Sequence, residues 1–179
     1  MLNRSLVKKF VLLVGISWVI LIVIFIVSRY YQFQLNVSSS MPQRLWLTHV
    51  GDKDIQQRNY VIIKFHDFRM QHSDDFEYVV KQIGGIGGDQ VIVRNCNCYV
   101  DHIPYPNKIS FSYIVADNIY PVFESLSGNH FAPLTKKNMI IPKGCYFIHG
   151  QHHPSFDSRY KEFGLICESQ IYGKAYPIF

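Results

Sequence analysis

Between Phe10 and Val27 the chain runs for eighteen residues, FVLLVGISWVILIVIFIV, without a charge. Wound as an α-helix this stretch rises roughly 27 Å, close to the thickness of a bilayer's hydrocarbon core, so it can span one. Arg4, Lys8 and Lys9 precede it and only Arg29 follows. Basic flanks stay on the cytoplasmic side, which places residues 1–9 in the cytoplasm, an anchor over 10–28, and residues 29–179 beyond the membrane. A cleaved signal peptide is the competing interpretation, but the segment exceeds a usual apolar core and Val27-Ser28-Arg29-Tyr30-Tyr31 offers no A-x-A-like site. The expected location is the inner (cytoplasmic) membrane, single-pass, with the lipid bilayer as a partner and the main domain in the periplasm or outside.

The net charge of +5 takes a different meaning once divided along the chain. Arg4, Lys8, Lys9 and Arg29 are four of the eighteen bases and no acid lies among them, which leaves fourteen bases against thirteen acids elsewhere. A near-neutral domain carries no nucleic-acid footprint, so no nucleic acid is expected as a partner. About 150 residues remain after the anchor, enough for one domain with a real core. Tyr30, Tyr31 and Phe33 suit either side chains at the headgroup level or an ordinary strand.

Short apolar runs separated by turn residues predict a mainly β domain. Leu45–Leu47, Tyr60–Phe65, Tyr78–Ile83, Gln90–Arg94 continuing through Cys96–Val100, Met139–Pro142, Cys145–His149 and Gln170–Tyr176 read as strands. Gly84–Asp89 resembles a phosphate-cradling loop but lacks the Lys-Ser/Thr of one, so a tight strand connection is expected. Residues 101–138, with Pro104, Pro106, Pro121 and Pro133, read as an irregular insertion. Gly150 to Gly164 reads as a long turn-rich loop.

Chemistry concentrates on Asn36-Val37-Ser38-Ser39-Ser40-Met41-Pro42. Ser40 lies only eleven positions after Arg29, so even fully extended the chain between them reaches about 40 Å and Ser40 must work near the membrane. A serine hydroxyl attacks a carbonyl only with a base in hydrogen-bond reach. Lys81, inside the apolar run Val79-Val80-Lys81-Gln82-Ile83, is the lysine best placed to be that base if burial suppresses its charge. Pattern alone leaves open that it snorkels to water. His149, His152, His153 and Asp157 cluster, but their spacing matches no zinc pattern and no metal is expected; exposed loop histidines are the plainer interpretation. Cys96 and Cys98 lie too close in a strand to pair easily with each other, and pairing of either with Cys145 or Cys167 is open.

Three blocks together resemble the signal peptidase I superfamily: Ser38-Ser39-Ser40-Met41-Pro42; Tyr78-Val79-Val80-Lys81-Gln82-Ile83 with Gly88-Asp89; and Gly150 through Ser155-Phe156-Asp157-Ser158-Arg159-Tyr160 with Gly164. Their order and spacing are similar to its serine, lysine and Gly/Asp/Ser/Arg boxes. The single anchor, Ser-Met-Pro followed by Leu45-Trp46, and Ile171-Tyr172-Gly173-Lys174-Ala175 look more like the conjugative-transfer branch, the TraF type. Departures are Gln82 where the family often has Arg, Arg44 where that branch often has Gly, and Gln151-His152 where housekeeping enzymes have Asp-Asn.

The resemblance implies a signal-peptidase-like domain of coiled β-sheets on one N-terminal transmembrane helix. It implies a Ser-Lys dyad of Ser40 and Lys81 that needs no cofactor, with the Ser40 N–H and Ser38 hydroxyl as oxyanion hole. Ser155 would orient the Lys81 amine, and Asp157 and Arg159 would form a supporting salt bridge. The implied activity is removal of leader peptides from exported preproteins, a pilin or other transfer component above all. The alternatives are a non-catalytic assembly protein of a pilus or secretion apparatus, and a housekeeping signal peptidase.

Overall fold

A computed structural model describes residues 4–36, 40–65, 77–99, 108–123, 131–151 and 155–179. Helix α1 (Arg4–Tyr30) extends beyond the expected anchor at both ends, because the flanking polar residues add helical turns that need no apolar partner. Its Lys8–Tyr30 portion, 23 residues, is long and apolar enough to cross a membrane. The helix passes without a connector into β1 (Tyr31–Leu35), so Tyr31 and Phe33 are strand residues. The Tyr31 ring stacks on His49 at 4.8 Å.

The remaining strands are β2 (Leu45–Val50), β3 (Tyr60–Phe65), β4 (Glu77–Ile86), β5 (Gln90–Tyr99), β6 (Lys108–Val115), β7 (Asn118–Phe123), β8 (Met139–Ile140), β9 (Cys145–His149), β10 (Ile166–Cys167) and β11 (Ile171–Pro177). They form a seven-stranded sheet, β1-β2-β11-β3-β4-β9-β10, and a four-stranded sheet, β7-β6-β5-β8. Every pairing is antiparallel. The architecture is the mainly β one expected.

The continuous apolar run of β3 follows from burial on both faces. Val61, Ile63 and Phe65 enter a core with Ile83, Ile148, Phe163 and Ile166 on one side. Ile62 enters another with Met41, Trp46, Val80 and Ala175. A third core, with Val91, Tyr113, Val115, Ile141 and Phe147, joins the small sheet to the large one. Gly85 makes that junction possible: a Cβ there would run into the Val115 side chain and approach Ile141 Cδ1 to 2.9 Å.

Three expectations change. Gly84–Asp89 divides in half: β4 continues to Ile86 through a register shift between Ile83 and Gly85, and residues 87–89 make the expected tight connection to β5. Residues 101–138 are not an irregular insertion throughout, because β6 and β7 form a hairpin inside them. Cys145 and Cys167, register partners across β9 and β10, form a disulfide, which rules out pairing of either with Cys96 or Cys98. Cys96 and Cys98 lie in β5, and their side chains fall outside the described residues.

Candidate active site

Lys81 shares a face of β4 with Val79 and Ile83 and pairs with Val61 of β3, so its side chain enters an apolar core. It is 4% exposed, which overturns the snorkelling alternative. Its Nζ donates to Ser155 Oγ at 2.7 Å and lies 5.9 Å from the Phe163 ring centroid. Burial disfavours the ammonium form, and despite the nearby Asp157 charge, with Arg159 opposing it, the pKa falls to about 8. An amine of that pKa is a usable proton acceptor near neutral pH.

Ser155 is carried by the connector between β9 and β10, which makes few ladder bonds and is held by side chains instead. Asp157, fully buried, and Arg159, 2% exposed, form the central ion pair, with Arg159 Nε donating to Asp157 Oδ1 at 2.8 Å and Nη2 to Oδ2 at 2.8 Å. Burial alone would raise the Asp157 pKa, but the Arg159 charge and hydrogen bonds, with Lys81 and the Gly150 N–H, hold it below the ordinary carboxylate range. The pair also fixes backbone. Arg159 Nη2 donates to Ser155 O at 3.0 Å and Nη1 to Pro121 O at 3.1 Å, while Gly150 N donates to Asp157 Oδ2 at 3.0 Å. Ser158 locks the connector to β9, its Oγ accepting from Ile148 N at 3.0 Å.

Ser40, 8% exposed, is brought to the same place from the other side. Met41 is buried against Trp46 and Val80, which pins the loop to the sheet. Asn36 Nδ2 donates to Met41 O and Gln43 O, both at 3.4 Å, and Gln151 N donates to Ser40 O at 2.9 Å. Gly150 marks the convergence. The β4–β9 ladder begins with Gln82 against His149, and Gly150 follows directly where the ladder ends. A Cβ on Gly150 would lie 2.9 Å from Ser40 O and clash with Ser155 Oγ. Ser40, Ser155 and, through Ser155, Lys81 therefore surround one point that only glycine leaves open.

Ser38 lies outside the described residues, as do His152 and His153. His149 is a half-buried β9 residue rather than an exposed loop histidine. Its ring sits 4.7 Å from that of Tyr120. Burial, above all, lowers its pKa. Among the described residues no group of His, Cys, Asp and Glu is arranged to hold a metal.

Sequence reasoning missed Gln151, whose Nε2 donates to Tyr60 Oη at 2.8 Å and Gln82 Oε1 at 3.3 Å. It also missed Asn36 as a clamp on the serine loop. The signal for Asn36 was its position between a strand and a Pro-containing turn, where Asn side chains cap backbone carbonyls and amides. Gln151 had none, because its role depends on β3, β4 and the serine loop meeting.

The family model described as Signal peptidase, peptidase S26 matches residues 3–179. Signal peptidase IB of Staphylococcus aureus strain COL is 29% identical over 179 residues, spanning 94% of this chain and 86% of the relative. The signal peptidase IB proteins of strains N315 and MW2 are 29% identical over 177 residues, spanning 93% of this chain and 85% of theirs.

Proposed function

The chain belongs to the signal peptidase, peptidase S26 family, and on that premise we propose that it removes leader peptides from exported preproteins with Ser40 as nucleophile and Lys81 as general base. The observation that carries this reading is the Lys81 amine, buried and held by Ser155 Oγ beside the loop of Ser40. With a pKa of about 8, roughly one Lys81 in five is neutral at pH 7.4, against about one in a thousand for an ordinary lysine.

In the proposed reaction neutral Lys81 takes the Ser40 proton as Oγ attacks the scissile carbonyl. The Ser40 N–H and Ser38 hydroxyl receive the oxyanion, donors worth a few kcal/mol in such chemistry. The resulting ammonium protonates the leaving amine, and Lys81 then activates water to release the acyl group from Ser40. Ser155 orients the amine; the Asp157–Arg159 pair keeps Ser155 in place.

The substrate enters extended. Strand β9 pairs with β4 only from Gln82 onward, so the β4 edge over 77–81 opposite β3 has no strand partner among the described residues. A leader segment adds there as a strand, with small residues at the first and third positions before the cut. The apolar helix feeding directly into β1, together with exposed Phe33, Leu35 and Phe179, supports a site held at the outer membrane face with the N-terminus in the cytoplasm. A preprotein's own apolar segment presents its cleavage site at the same surface.

Ser40→Ala and Lys81→Ala should each accumulate uncut precursor while the variant protein itself stays at normal abundance. Wild-type processing in Ser40→Ala would overturn the reading in favour of a non-catalytic assembly protein. Two substrate ranges fit it. The conjugative-branch motifs favour a single pilin-type precursor, whereas the likeness to Staphylococcus signal peptidase IB favours general export. Depletion separates them: one precursor accumulates in the first case and many in the second.

A further inference from the structure

Past Lys81, β4 leads into a second concavity. Gln82, Gly84, Arg58, Asn118, Tyr120 and His149 line a cavity of about 280 Å³, below the size of a drug-like site and suited to one or two amino-acid side chains. It is wired to the Ser40 loop. Gln151 donates its N–H to Ser40 O and its Nε2 to both Gln82 and Tyr60, so Gln82 is shared between the two places.

The cavity has a definite charge. None of its described lining residues is acidic, and His149 is held toward its neutral form, chiefly by burial. That leaves the Arg58 guanidinium as the charged group among the described lining residues at neutral pH; at the Tyr120 hydroxyl, burial and the Asp157 carboxylate behind the wall weigh more, and Arg58 opposes them. Arg58 occupies this position in an unfavourable conformation, φ +66°, where side chains other than glycine are crowded. Both of its backbone groups are fastened to β4: its N–H donates to Ile83 O at 2.9 Å, and its carbonyl accepts from Gln82 Nε2 at 3.2 Å. Local preference does not put Arg58 there; the turn is tied down against it.

Leader residues that pair along 77–81 cannot continue on the same edge, because β9 occupies it from Gln82. A peptide paired there would leave the sheet past Lys81, where Gln151 and Gln82 stand together. At about 3.3 Å per extended residue, Gln82 to Gly84 lie one to three residues past Lys81. We propose that this cavity is the subsite for a side chain among the first three residues after the scissile bond and that Arg58 selects an acidic one there. The inference rests on the peptidase reading above.

The test uses the full chain in detergent and precursor peptides that share one leader and carry Glu, Ala or Lys at each of the first three positions after the cut. The readout is the ratio of kcat/KM for Glu over Lys within each enzyme, which a partly unfolded fraction does not alter. Because the guanidinium is exposed, we expect the wild type to favour Glu by about three- to tenfold at one of the positions. Arg58→Glu should reverse the ratio and Arg58→Lys should preserve its sign. Equal ratios in wild type and Arg58→Glu, with cleavage still abolished by Ser40→Ala, would overturn the subsite alone. Cleavage persisting in Ser40→Ala would overturn the peptidase reading and the subsite with it.

Discussion

Two cations are buried in one cluster, and the protein treats them in opposite ways. Arg159 is matched by a full carboxylate at 2.8 Å and by two carbonyl oxygens, so its charge is compensated and its pKa is raised, burial notwithstanding. Lys81 meets a neutral hydroxyl, an aromatic ring, and the opposed charges of Asp157 and Arg159, whose carboxylate is already engaged. Compensation fixes a proton in place; withholding it makes the proton transferable. The difference between the two cations lies in partners, because burial is nearly the same for both.

The sharpest way to break this contrast is at the clamp. Asp157→Ala strands a buried guanidinium, and chemical denaturation should show a loss of about 3–5 kcal/mol. Joint replacement, Asp157→Leu with Arg159→Met, should cost no more than Asp157→Ala alone, since it removes both charges. Additive losses in the double variant would mean that the pair is not a mutual compensation.

Lys81 should respond with the opposite sign. Lys81→Met removes a charge that folding disfavours and should raise stability at pH 6–7 by about 1–3 kcal/mol, while abolishing cleavage. The folded pKa, about 8, is below the unfolded value, so between pH 8 and 10.5 the unfolded chain binds more protons and wild-type stability rises with pH. The gap between the variants should therefore close over that window. A Lys81→Met protein less stable than wild type at pH 6 would show that the ammonium is well accommodated, and the contrast with Arg159 would fail.

What sequence alone could reveal follows the same division. Strands β3, β4 and β9 were legible because each carries three or more consecutive apolar residues between polar ones: Tyr60–Ile63, Tyr78–Val80 and Cys145–Ile148. That Lys81 is buried was not, since alternation places it with Val79 and Ile83 whether its amine stays inside or reaches water. The Lys108–Phe123 span was hidden by Pro121, which a central strand would not tolerate; β7 is an edge strand and does. Its turn was equally obscure, because Ala116 and Asp117 take φ +46° and +65° without the glycine that usually announces such a hairpin. The Ser155–Arg159 block has no periodicity, so only its resemblance to a known box pointed to it. The Cys145–Cys167 pairing depended on a two-residue strand that no pattern predicts.

The smallest expected effect concerns the hydrogen bond that joins the two regions. Ser155 Oγ accepts from Lys81 Nζ, and Arg159 holds the Ser155 carbonyl, so the clamp touches Lys81 through this residue. An accepted hydrogen bond favours the ammonium form, and Ser155→Ala should lower the Lys81 pKa further. Wild-type kcat/KM should climb through about pH 8 as Lys81 loses its proton. In Ser155→Ala that limb should shift toward pH 7, while the plateau falls about tenfold because the amine loses its orienting partner. A residue that only braced the fold would lower the plateau and leave the limb where it was. An unmoved limb would therefore place Ser155 with the clamp and leave Lys81 to be positioned by its apolar neighbours alone.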